Sequence, residues 1–118
     1  MFRRAVITGM GAVTPLGNSA GQTWEGLKSG RNGIAPITLF DTADSKAKLG
    51  AEVKDFEPRD YMEVNEILRT DRYAQFAAAA AQQAVEQSGI EGRIDPERFS
   101  VQFGTGIGGI GTFEKEHT

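Results

Sequence analysis

Two glycine clusters are the features of this sequence most capable of chemistry. The first is Gly9-Met10-Gly11 with Gly17 shortly after. The second runs Gly104-Thr105-Gly106-Ile107-Gly108-Gly109-Ile110-Gly111, five glycines in eight positions. Glycines packed this closely after an apolar run form a turn whose backbone can approach something tightly. The chemistry first suggested by Gly9-Met10-Gly11 is nucleotide binding. The third position of a dinucleotide fingerprint then falls on Thr14, where glycine or alanine is expected. Pro15 and Gly17 follow, so no helix begins where a pyrophosphate needs an N-terminus. No acidic residue ends a second strand at the required distance, and no Gly-Lys-Ser/Thr pair forms a phosphate loop. Nucleotide binding is therefore disfavoured. The second cluster reads either as a backbone wall beside a ligand or active-site nucleophile, or as a flexible strand-to-helix turn. Ile107 and Ile110 are unusual for a purely solvated turn, because they need apolar company.

Other reactive groups are sparse. Glu57 with Asp60 and Glu63 with Glu66 are paired carboxylates. Their surroundings are polar, with nothing to raise a carboxyl pKa, and they read as solvated surface rather than acid/base machinery. The single histidine, His117, lies in Glu114-Lys115-Glu116-His117-Thr118 and reads as a solvated helix end. One histidine excludes a two-histidine site within the chain, and zero cysteine excludes disulfides, thiolate metal sites and a cysteine nucleophile. No serine has a histidine near it in sequence to form a nucleophile–base pair. No catalytic residue, metal site or cofactor site is expected within these 118 residues.

The elements that must carry the glycine clusters follow from composition and periodicity. A chain of 118 residues with 39% apolar content fits one small globular domain or part of a larger one. The net charge of -3 argues against a nucleic-acid partner. The longest apolar run is Phe76 to Ala81, far short of the roughly 20 residues that cross a membrane. Ala5-Val6-Ile7 is too short for a signal-peptide core, so a soluble cytoplasmic protein without membrane contact is expected.

Arg3 to Thr8 reads as a strand covered on both faces. Ser19 and Gln22 have capping-box spacing before a short helix carrying Trp24 and Leu27 on one face, with Gly30 as its stop. Residues 31–58 read as loop with small strand pieces, one of them at Ala51 and Val53. The most distinct helix runs from Asp71 to Gln87, capped by Thr70 or Asp71 and closed by Gly89. Tyr73, Phe76, Ala77, Ala80, Ala84 and Val85 form its apolar face, with Arg72, Gln75, Gln82, Gln83 and Glu86 largely opposite. The alanines predict close packing against a sheet or another helix. Asp95-Pro96-Glu97 reads as a capped turn, Phe99 to Phe103 as a second strand, and Thr112 to His117 as helical. The order suggests an α/β architecture with parallel strands. Two such strands leave open edges and uncovered faces, which points to a piece of a larger fold.

Arg3-Arg4-Ala5-Val6-Ile7-Thr8-Gly9-Met10-Gly11-Ala12-Val13-Thr14-Pro15-Leu16-Gly17 resembles the opening of the β-ketoacyl-acyl-carrier-protein synthases. The likeness continues in order through Trp24, Leu27 and Gly30, then Gly33-Ile34 and Pro36-Ile37-Thr38-Leu39-Phe40-Asp41. It extends through Val53-Lys54-Asp55-Phe56, Asp71-Arg72-Tyr73-Ala74-Gln75-Phe76 and Gly104-Thr105-Gly106-Ile107-Gly108-Gly109. The Thr-Pro-Leu-Gly and Ile-Thr-x-Phe-Asp elements look more like the type II elongating synthases, with polyketide ketosynthases as close relatives.

The resemblance implies an α/β, thiolase-like fold, of which residues 1–118 form the N-terminal part of the N-terminal domain, with the remainder lying outside them. It implies a homodimer at full length and a decarboxylative condensation of acyl and malonyl groups carried by acyl carrier protein. In that family a cysteine holds the acyl chain and two histidines assist decarboxylation. None of the three matches a residue here, His117 included. By the same resemblance Ile107, flanked by Gly106 and Gly108, lines and gates the acyl pocket. Arg69 is the one basic residue left in Val64-Asn65-Glu66-Ile67-Leu68-Arg69-Thr70, where relatives carry several for docking the acidic carrier protein. A stand-alone interaction module, a half enzyme pairing with a separate C-terminal part, and a nonfunctional remnant are the alternatives.

Overall fold

The computed structural model describes residues 2–118, which divide into two compact units. One comprises residues 12–56. The other comprises residues 57–118 together with the N-terminal segment up to Gly11.

In the unit of residues 12–56, Thr14 and Gly17 exchange backbone hydrogen bonds of 2.9 and 3.1 Å across Pro15-Leu16. This tight turn, not a phosphate-binding loop, is what the Thr-Pro-Leu-Gly element builds. Helix α1 spans Ala20–Lys28. The Ser19 hydroxyl accepts from the Gln22 amide at 3.1 Å, as the spacing predicted. The Gln22 side chain reaches back one residue further than expected, accepting from the Asn18 amide at 2.8 Å. Gly30 follows with φ +67°, the left-handed conformation that ends such a helix. Trp24 and Leu27 stay more than half exposed, and the buried position on α1 is Gly26. A β-carbon there would sit 3.1 Å from the Leu16 side chain, so α1 packs through its smallest residue.

Strand β1 (Ala35–Pro36) pairs antiparallel with β2 (Leu49–Gly50), Ala35 opposite Gly50. The expected strand at Ala51 and Val53 thus lies slightly earlier. The Glu52 carboxylate clasps this pair by accepting from the Thr38 hydroxyl at 2.7 Å and the Thr38 and Leu39 amides at 2.9 and 3.1 Å.

The unit of residues 57–118 and the N-terminal segment is built on helices. A 3-10 turn, Pro58–Asp60, is capped by Glu57, whose side chain accepts from the Arg59 amide. Helix α2 spans Val64–Ile67, and the Glu66 carboxylate accepts from the Glu63 amide at 3.1 Å. Helix α3 spans Arg72–Ser88 and ends at Gly89 with φ +59°. The turn at Pro96–Arg98 is capped by Asp95, and α4 spans Ile110–His117. Ala79, in the alanine block of α3, is completely buried.

Three expectations are corrected. Arg3 to Thr8 and Phe99 to Phe103 form no strand, because neither finds a ladder partner among the described residues. The strand pair that does form is antiparallel, not parallel. Gln75 is buried at 8% exposure instead of facing solvent, because its amide donates to the Ile67 and Thr70 carbonyls at 3.3 and 3.1 Å and satisfies the end of α2. The helices and small sheet remain those of a partial α/β fold.

The alanine face of α3 is pressed against the N-terminal segment. A β-carbon on Gly9 would land on the Ala84 carbonyl oxygen, and one on Gly11 on that of Ala80. The Met10 amide donates to the Gln87 side chain at 2.6 Å between them. The first glycine cluster thus serves a close approach of backbone to backbone.

Candidate functional site

The second glycine cluster is an irregular turn leading into α4. Thr105 closes it, its hydroxyl accepting from the Gly108 amide at 3.0 Å. Gly108 has φ +73°, which a residue with a β-carbon adopts only at a cost. A β-carbon on Gly106 would meet nothing. Ile107, at the crest, is 75% exposed, and Ile110 is about half exposed at 47%. The apolar company that these isoleucines call for is not present within this unit.

The turn is tied down at its far end. Gly109 is the N-cap of α4, and a β-carbon there would collide with the Asp71 carboxylate. The Thr112 hydroxyl, one turn into α4, donates to the same carboxylate. Asp71 is also the N-cap of α3, and its backbone carbonyl accepts from the Ala74 and Gln75 amides. Its side chain makes no capping bond to α3. Two motifs distant in sequence, the Asp71 element and the Gly104–Gly111 turn, are therefore joined through one carboxylate. The sequence contained both motifs but no signal of the join.

Arg69 lies on the link between α2 and α3. It lines an open groove of about 550 Å³ with Tyr61, Met62, Glu66, Thr70 and Gln82. Ile107 is not part of that groove, so the two candidate features occupy separate places. Glu66 faces the groove alongside Arg69, so the surface is of mixed sign, not a basic patch.

The carboxylates that looked like solvated pairs serve as local caps: Glu57 for the 3-10 turn and Glu66 for the first turn of α2. The Glu63-x-x-Glu66 spacing was a legible signal for that cap. Glu52, which the sequence did not single out, has its carboxyl held below the ordinary 4.5. The Thr38 hydroxyl is the largest cause, followed by backbone amides, with Lys54 adding to it. Its hydrogen-bond partners, the Thr38 hydroxyl and the Thr38 and Leu39 amides, are those of the strand clasp. His117 is exposed and stacks on Phe113, their rings 5.9 Å apart. Among the described residues no group of three or more acidic, histidine or cysteine side chains could hold a metal ion. The geometry gathers a glycine turn carrying Ile107 and its anchor on Asp71.

Residues 2–118 match the family described as Beta-ketoacyl synthase, N-terminal domain. The chain is 42% identical over 117 residues to a 3-oxoacyl-[acyl-carrier-protein] synthase 2 of Synechocystis sp., covering 98% of this chain and 28% of that protein. A protein of the same name from Coxiella burnetii is 42% identical over 116 residues, with the same shares covered. Among solved structures, the ishigamide ketosynthase/chain length factor superposes with a TM-score of 0.72 at 28% identity, over 95% of this chain and 29% of that one. The chain spans less than a third of the relatives it matches.

Proposed function

Because the chain belongs to the β-ketoacyl synthase N-terminal domain family, we propose that it forms the N-terminal segment of a type II condensing enzyme of fatty acid biosynthesis. In that reading an acyl group is passed from acyl carrier protein to a cysteine thiol outside these residues. A malonyl thioester loses CO2, and the carbanion equivalent attacks the acyl thioester carbon. The cysteine thiolate leaves, and the product is a 3-oxoacyl thioester two carbons longer. Two histidines, also outside these residues, stabilise the charge that develops during decarboxylation. No cofactor takes part.

The role of these residues is then to build part of the acyl pocket. Ile107 is its wall and gate, with Gly106 and Gly108 keeping its flanks free of side chains. Arg69 offers a single positive charge to the acidic carrier protein. The enzyme acts in the cytoplasm as a homodimer. What supports the reading is the unbroken match of residues 2–118 to one family, at 42% identity to a synthase over 98% of the chain.

The test is a condensation assay on the whole polypeptide translated from the reading frame that contains residues 1–118, supplied with acyl and malonyl thioesters of acyl carrier protein. Formation of 3-oxoacyl product with CO2 release supports the proposal. A folded protein that forms none overturns it. The exposed apolar side chains at Val6, Ile7, Val101 and Phe103 favour one other reading, a half enzyme that pairs with a separate polypeptide. The intact mass of the native product distinguishes the two.

A further inference from the structure

We infer that Asp71 is a positioning residue: its carboxylate tethers the Gly104–Gly109 turn to the head of α3 and so sets where Ile107 stands. The role in acyl selection rests on the reading of Ile107 as a pocket gate. The tether itself rests on geometry alone.

An aspartate at a helix N-cap ordinarily turns its carboxylate onto the amides of the first turn. Asp71 occupies that position, yet its side chain makes no capping bond. It accepts the Thr112 hydroxyl instead and fills the space beside the Gly109 α-carbon. A capping carboxylate stabilises its helix, so one diverted from that position is serving another contact. That contact needs glycine at 109, because any side chain would strike the carboxylate. Only two Cα–Cα steps of about 3.8 Å separate Gly109 from Ile107. The turn between them offers no wall of its own. A β-carbon on Gly106 would meet nothing, and Gly108 holds a left-handed conformation closed by Thr105. The placement of Ile107 is therefore transmitted from the anchored end. Pocket selectivity depends on such placement, because a shift of one methylene in a packed site is felt.

The experiment compares Asp71→Ala, Thr112→Val, Gly109→Ala and Asp71→Asn in the whole polypeptide. One readout is hydrogen exchange at the Phe113 amide, which donates to Gly109, and at the Gly89 amide, which reports the far end of α3. The other is the distribution of acyl lengths in the product. Asp71→Ala and Thr112→Val are expected to speed Phe113 exchange about fivefold, the loss of one partly exposed charge-assisted bond, with Gly89 unchanged. Both shift the product distribution toward longer chains as the gate loosens. Asp71→Asn keeps an acceptor oxygen and restores both readouts. Gly109→Ala is disruptive alone, and its effect diminishes in the Asp71→Ala background, a non-additivity that marks direct coupling.

Wild-type exchange in both Asp71→Ala and Thr112→Val overturns the tether. Equal acceleration at Phe113 and Gly89 reduces Asp71 to a general stabiliser of α3 and also overturns it. Faster Phe113 exchange with an unaltered product distribution overturns the role in selectivity. If the unsubstituted polypeptide does not condense, the functional reading fails and the selectivity role with it, while exchange still reports on the tether.

Discussion

Ile107 stands at the crest of a glycine turn with three-quarters of its surface exposed. A large side chain there has room within this unit and fills only whatever space lies opposite. Under the proposed function, Ile107→Phe in the whole polypeptide is expected to shorten the accepted acyl chains, measured as the product distribution across a series of acyl thioesters. An unchanged distribution would remove Ile107 from the pocket. Arg69 shares its groove with Glu66; under the proposed function, its contribution to docking an acidic partner is then small and acts mainly on association rate. Arg69→Glu is expected to slow association with acyl carrier protein at low salt, and the difference should shrink as ionic strength rises. Glu52 gives a pH signature. Its carboxyl is held below 4.5 in the folded chain, so the clasp on Thr38 contributes fully above the unfolded value and is lost as pH falls through the folded one. Glu52→Gln should flatten that acid-side loss in thermal melts of the whole polypeptide followed against pH.

The elements show where sequence periodicity was sufficient and where it was not. The C-terminal end of α3 at its glycine stop and the Asp95-Pro96-Glu97 turn follow from capping chemistry, which is local and therefore legible. Gln75 was misplaced because a period of 3.6 assigns a polar residue outward, whereas a primary amide can be buried when carbonyls at a neighbouring helix end need donors. The two expected strands failed for a different reason. An alternating apolar pattern marks a segment able to pair, and pairing requires a partner that no local pattern supplies. The alanine block announced a close neighbour without naming it, and the glycines that meet it lie some seventy residues earlier. The candidate turn was legible as a motif, while its tether to Asp71 was not, since neither residue type nor spacing links them. Gly89→Ala, which imposes a β-carbon on a left-handed cap, should cost about 1 kcal/mol of stability, read as a lowered denaturation midpoint of the whole polypeptide.

Over the whole molecule, the buried apolar residues among those described are Phe56 and Ala79, and no large side chain is fully buried. Val6, Ile7, Leu68, Val101, Phe103 and Phe113 all remain more than half exposed. Burial at this level offsets little of the chain entropy that folding must overcome. The 118-residue chain alone is therefore expected to unfold over a broad range without a cooperative midpoint, and to bind a hydrophobic dye in dilute buffer. A sharp two-state transition of the isolated monomer would contradict this. The same exposed surfaces are what a longer polypeptide or a partner would cover, in keeping with the chain's spanning 28% of its relatives. No helix among the described residues is long and apolar enough to cross a membrane.

The seam between Gly9, Gly11 and α3 carries an evolutionary corollary. Both colliding atoms are main-chain oxygens, those of Ala84 and Ala80, and no exchange of side chains can move them aside. A population burdened with Gly11→Ala should then escape chiefly by true reversion, or by lesions that displace the helix as a body. Suppressor sequencing that recovered simple replacements at Ala80 would reveal a more forgiving joint.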